Sequence, residues 1–145
     1  MLWSDQFEEL TATVFITQLR KAGLRVKLVS LTRQRITGIH GVTLHPDFTL
    51  KQALSLASKA IGIIIPCGLR GTKQLENDPR LADFFGQAHK SGAQFVIGHQ
   101  LNTTDNTDLK ILLPQNDHLR TYPDDDEDLV GFARQIAISL SQATG

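Results

Sequence analysis

The sequence predicts an α/β domain built around a mostly parallel sheet. Helical and strand-like patterns alternate along the chain, which is the order of such a fold. Residues 60–65 and 94–97 form almost unbroken apolar runs, as strands covered on both faces require. Each run stops at a sharp turn, and only Met1-Leu2-Trp3 stand where a first central strand belongs.

The elements follow in order. Asp5 and Glu8 have the spacing of a capping box, in which a carboxylate and a Glu side chain satisfy the first free amides of a helix. Leu10, Val14, Phe15, Leu19 and Ala22 then make one apolar stripe, and Gly23 suits the C′ position. Residues 24–31 read as a strand, and 36–39 with 42–44 as a small hairpin about His40-Gly41. A short helix is predicted over 49–58 after an Asp47/Thr49 start. Asp78-Pro79 supplies an N-cap and an N1 proline to a helix carrying Leu81, Phe84, Phe85 and Ala88. Residues 109–113 read as a further strand and 119–122 as a short extended piece. Asp124 to Asp128 open a last helix with Leu129, Phe132, Ile136 and Leu140. That acidic cluster fits a helix N-terminus favoured by the macrodipole, a metal site being the sharper alternative. The first strand is either very short or missing, or the reading frame starts late.

Composition narrows the function. The 145 residues suit one domain, 1–145, with a real core. Lys plus Arg and Asp plus Glu balance at 15 each, so no net field draws nucleic acid or an anionic membrane. Arg33 and Arg35, with Lys27, lack the interleaved aromatics of a nucleic-acid surface. No apolar run approaches the ~20 residues of a membrane span, and no secretory signal opens the chain. One cysteine, Cys67, rules out an internal disulfide and fits a cytoplasmic location. No cofactor motif is present.

In an open α/β sheet, ligands sit outside the carboxyl ends of the strands. Those ends are Ile65-Pro66-Cys67-Gly68-Leu69-Arg70-Gly71 and Ile97-Gly98-His99. The second has the form of a strand feeding a nucleophile elbow, yet its tip is Gly98, which carries no reactive side chain. Cys67, on the neighbouring loop, is a candidate relocated nucleophile with His99 as base; a buried small hydrophobe is the plainer reading. Arg70 could fork onto a carboxylate or phosphate, and Lys73 stands in the same loop. His40 and His45 flank the hairpin, but two ligands fall short of a structural metal site. His89 and His118 read as ordinary surface residues.

The segments 7–10, 19–30 and 41–50, the Ile64-Ile65-Pro66-Cys67-Gly68 loop and the Ile97-Gly98-His99 turn resemble, in order and spacing, the ThiJ/PfpI family over two-thirds of the chain. The resemblance implies a flavodoxin-like three-layer sandwich of the class I glutamine-amidotransferase kind, commonly a homodimer. It also implies a cysteine at the elbow, a glutamate from the first helix bonded to that thiol, and Pro-Gly-Gly amides forming an anion pocket. Activities of the family include peptide or amide hydrolysis, glyoxalase-type hydration, deglycation and stress-linked chaperoning.

Matched residue by residue, the nucleophile position falls on Gly98, the glutamate position on Thr11 and the first loop glycine on Cys67, while the following histidine persists as His99. Residues 101–108 are polar where a helix is expected. The expectation is therefore a non-catalytic member, a pseudoenzyme. It would bind a small carbonyl or carboxylate ligand through Thr11, Cys67, Gly68, Arg70, Gly98 and His99, or act as a stress-related accessory domain. The alternative is a Cys67-dependent hydrolase or glyoxalase-like enzyme.

Overall fold

The computed structural model describes residues 1–2, 5–31, 35–68, 73, 75–99, 111–114 and 117–144. Helix α1 (Glu9–Lys21) ends as its glycine requires. Gly23 lies at φ 82°, its N–H donates to the Arg20 carbonyl, and the Leu24 N–H donates to Leu19. The Asp5–Glu8 capping box is not formed. Glu8 is the N-cap without a side-chain cap bond, and the Asp5 carboxylate instead accepts the Thr37 N–H at 3.1 Å. The apolar stripe also turns by about one residue, since Thr11, Ala12, Phe15 and Leu19 are buried while Leu10 is 49% exposed.

Strands β1 (Val29–Ser30) and β4 (Phe48–Thr49) pair in parallel, and β2 (Ile36–Thr37) with β3 (Thr43–Leu44) makes the expected antiparallel hairpin. The strand expected over 24–31 is reduced to Val29–Ser30 in the ladder. Just ahead of it the Leu28 N–H is taken by the Asp47 carboxylate at 2.8 Å. Helix α2 (Leu50–Ala53) opens with a complete Thr49/Gln52 capping box and passes into a 3-10 stretch, Leu54–Lys59. Strand β5 (Gly62–Ile64) follows, then α3 (Arg80–Lys90), β6 (Gln94–Gly98), β7 (Leu119–Tyr122) and α4 (Asp126–Thr144). The Asp78 carboxylate accepts the Arg80 N–H at 3.0 Å and grips its guanidinium at 2.6 Å. At the other acidic start, Asp125 accepts the Glu127 N–H.

The order β5–β6–β7 is parallel throughout. The strand expected over 109–113 is corrected where it can be seen. Residues 111 and 112 are helical and Ile111 is 80% exposed, because β7 holds the place beside β6. Residues 109 and 110, and the polar stretch 101–108, lie outside the described residues.

Among the described residues the first strand is represented by Leu2. Leu2 bridges Val29 in parallel and donates its N–H to the Ile64 carbonyl at 2.9 Å, joining β4–β1 to β5–β6–β7. Side chains then alternate across the sheet. Ile63, Ile65, Phe95 and Ile97 pack with residues of α2, the 3-10 stretch and α3. Ile64, Val96 and Tyr122 pack with α1 and α4 on the other face. The result is the three-layer sandwich expected. No described helix is long and apolar enough to cross a membrane.

The hairpin is tied to α1 by one carboxylate. Glu9 accepts the N–H of His40 at 2.9 Å, the N–H of Val42 at 3.1 Å, and lies 3.2 Å from His40 Nδ1. Gly38 passes so close to the Glu9 side chain that a Cβ there would collide with it. Partial desolvation pushes the Glu9 carboxyl upward, but the bonds from His40 and Val42 outweigh it, and the net shift is below the ordinary 4.5. A depressed carboxyl stabilises the fold above its unfolded value, and that contribution disappears as pH falls through the folded value. Thermal unfolding followed from pH 7 downward should therefore steepen below about pH 4.5 in the wild type and less so in Glu9→Gln. Identical acid limbs would remove Glu9 from the hairpin's stability.

Candidate functional site

The site lies where β5, β6 and β7 end and α1 begins. Register places Gly98 directly beside Tyr122, and both face the α1 side of the sheet. This pairing explains the glycine. A Cβ on Gly98 would stand 3.0 Å from the Tyr122 hydroxyl oxygen and 3.1 Å from its Cζ, closer than carbon tolerates without displacement. The tyrosine thus fills the volume into which an elbow side chain would project. Phe15 braces the ring edge-on, with centroids 5.8 Å apart.

A carboxylate does reach this point, but from a different residue than the expected one. Thr11 is buried at the matched glutamate position, and its hydroxyl donates to Glu8 Oε2 at 3.0 Å. The Tyr122 hydroxyl donates to the same oxygen at 3.4 Å. The other oxygen, Oε1, lies toward Gly68, 3.3 Å from where a Cβ there would sit. The main chain positions Glu8 as well, for its N–H donates to the Pro66 carbonyl at 2.8 Å. Burial, and next the Glu8 charge, hold the Tyr122 phenol far above its ordinary range. It is a neutral hydrogen-bond donor in water at any working pH.

Of the expected site residues, Thr11, Gly68 and Gly98 gather around the Glu8–Tyr122 pair. Cys67 precedes Gly68 on the same loop, but it is 0% exposed and its backbone bridges Phe7. His99 is exposed and lines an outer concavity of about 560 Å³ with Thr121, Tyr122, Pro123, Glu127 and Asp128. Arg70 lies outside the described residues. His89 and His118 meet edge-on at 5.6 Å, His118 standing at the amino end of β7, away from the carboxyl ends of the strands. Sequence reading missed Glu8 and Tyr122. Glu8 was assigned to a capping box, and only strand register could bring Tyr122 beside Gly98.

The close approach at Gly98 makes a quantitative demand. Gly98→Ala should cost about 1–3 kcal/mol in denaturant unfolding, as an overpacked site does. Because the hydroxyl is the nearest atom, the cost should shrink in a Tyr122→Phe background, giving a coupling of at least about 0.5 kcal/mol. Strict additivity would separate the two residues.

No curated protein sequence matches this chain. Among solved structures, Drosophila melanogaster DJ-1beta superposes with a TM-score of 0.76 at 19% identity, over 97% of this chain and 88% of that one. Oxidized Toxoplasma gondii DJ-1 gives 0.73 at 15% identity, over 99% and 95%. A ThiJ/PfpI domain protein from Brachyspira murdochii gives 0.73 at 13% identity, over 95% and 92%. These likenesses show the shared fold. The model of the DJ-1/PfpI family matches residues 1–99, more than half of the sequence, and with the sheet order now in place the chain belongs to that family.

Proposed function

We propose that this protein is a non-catalytic member of the DJ-1/PfpI family that binds a small neutral carbonyl compound at the carboxyl end of its sheet. The observation that carries the reading is the Tyr122 hydroxyl 3.0 Å from the place of a Gly98 side chain. Position 98 carries no nucleophilic side chain, and one placed there would crowd Tyr122. Removing the nucleophile from a catalytic set costs several powers of ten in rate, and the remaining members do not compensate. Cys67 is a poor substitute, since a thiol closed to solvent reacts slowly. A carbonyl is favoured over a carboxylate because Glu8 already places a negative charge beside Gly68 and Tyr122.

The test is turnover of methylglyoxal and of a generic amide by wild type beside Cys67→Ser. Neither protein should turn over either substrate. Cys67 should be alkylated at pH 7 more slowly than a free peptide cysteine. Turnover that vanishes in Cys67→Ser would overturn the reading in favour of the relocated thiol.

A homodimer belongs to the same proposal. Leu10, Ile39 and Val42 are each close to half exposed, and the Glu9 bonds hold α1 and the hairpin together at that place. Burying such an apolar patch between two copies removes it from water. Light scattering should give twice the chain mass, falling toward the monomer in Ile39→Asp. A monomeric wild type across concentrations would end this part of the proposal.

A further inference from the structure

The outer concavity of about 560 Å³ beside Tyr122 has a chemistry of its own, and α4 builds one wall of it. Glu127, Gly131 and Gln135 stand four residues apart, so they form one row along the helix, with Asp128 and Phe132 in the next row. His99, Thr121 and Tyr122, at the carboxyl ends of β6 and β7, complete the lining.

Gly131 is the residue of this row that the fold does not explain. It lies inside α4, where glycine costs helix stability relative to alanine. Gly98, Gly62 and Gly38 each face a neighbour that a Cβ would crowd, but a Cβ on Gly131 would meet nothing within 4 Å. Packing among the described residues therefore does not require a glycine there. What the glycine creates is a notch of bare backbone between Glu127 and Gln135, whose Cα atoms stand about 12 Å apart along the axis. A chain of a few carbons fits that length.

The groups around the notch define its occupant. Glu127 and Asp128, as carboxylates, accept hydrogen bonds only, so the occupant must donate, and Gln135 both donates and accepts. Two carboxylates repel an anion. A fixed cation is opposed by the positive end of the α4 dipole, which lies in this same first turn. Phe132, half-buried and edge-on to Phe15 at 6.3 Å, adds an apolar surface for carbon-bound hydrogens. A neutral compound rich in hydroxyls answers all four side chains.

We propose that the concavity holds the hydroxylated tail of a polyhydroxy aldehyde or ketone of about four carbons, seated in the Gly131 notch with its carbonyl toward Tyr122. This rests on the carbonyl reading above and names the class of compound. Tyr122 joins the two parts, since it lines the concavity while its hydroxyl donates to Glu8.

The test compares erythrulose, a ketose too short to close a ring, with butanone and erythritol. Each is titrated into the full chain and followed at the Thr121 and Tyr122 amides by NMR. Erythrulose should bind at least about tenfold more tightly than either. Gly131→Ala should raise the Tm by about 3 °C, yet weaken erythrulose about tenfold and leave butanone unchanged. Gly86→Ala, at an equally unhindered glycine inside α3 and outside the concavity, should raise the Tm alike and change no affinity. Butanone as tight as erythrulose, or erythrulose untouched by Gly131→Ala, would overturn the inference and leave the carbonyl reading standing. Erythritol as tight as erythrulose would overturn the carbonyl reading and keep the hydroxyl assignment, and binding of none of the three would overturn both.

Discussion

Two main-chain hydrogen bonds made by Met1 and Leu2 hold the two halves of this sheet in one plane. Without the Leu2 N–H on Ile64 and the Met1 carbonyl on Val29, β4–β1 and β5–β6–β7 would be separate parallel fragments. The consequences run to the far end of the molecule. Because the halves share one plane, Phe7 can bridge both Gly38 and Cys67, and Glu8 can take the Pro66 carbonyl. That places the first turn of α1 over the carboxyl ends of the strands. On one face of the sheet α1 and α4 bury a continuous apolar layer that includes Phe15, Leu19, Ile64, Val96 and Leu140.

At the carboxyl end four residues form one cluster. Gly98 closes β6, Tyr122 fills the space beside it, and Thr11 holds the Glu8 carboxyl group. Tyr122 donates to Glu8 as well, so a neutral phenol and a carboxyl oxygen meet there. These residues are mutually dependent. A larger residue at position 98 and a tyrosine at position 122 compete for one volume, and packed interiors do not admit both without displacement.

Much of the fold was legible in the residues. The β-branched run at 60–65, the C′ glycine at 23 and the Thr49 helix start are local signals, and each was realised locally. Where reading failed, a distant partner had intervened. Asp5 left the helix start for Thr37, Glu8 turned to Thr11 and Tyr122, and residues 111–113 lie outside the sheet, where 119–122 pair with β6. Of the site, Gly98 and Thr11 were visible as departures from a pattern, but the reason for them was not.

What the sequence alone determined is what short-range chemistry determines: the alternation of elements, the helix end at Gly23, the strands buried on both faces and a glycine at the carboxyl end of β6. Hydrophobic period and capping depend on neighbours within about four residues, so they can be read along a line. The tertiary structure decided which side chain occupies the vacated space, which carboxylate reaches it, and that Cys67 is closed to water. Those outcomes depend on the register of β6 against β7 and on the angle at which α1 crosses the sheet. Both bring together residues distant along the chain, Gly98 with Tyr122 in the first case and Glu8 with Tyr122 in the second.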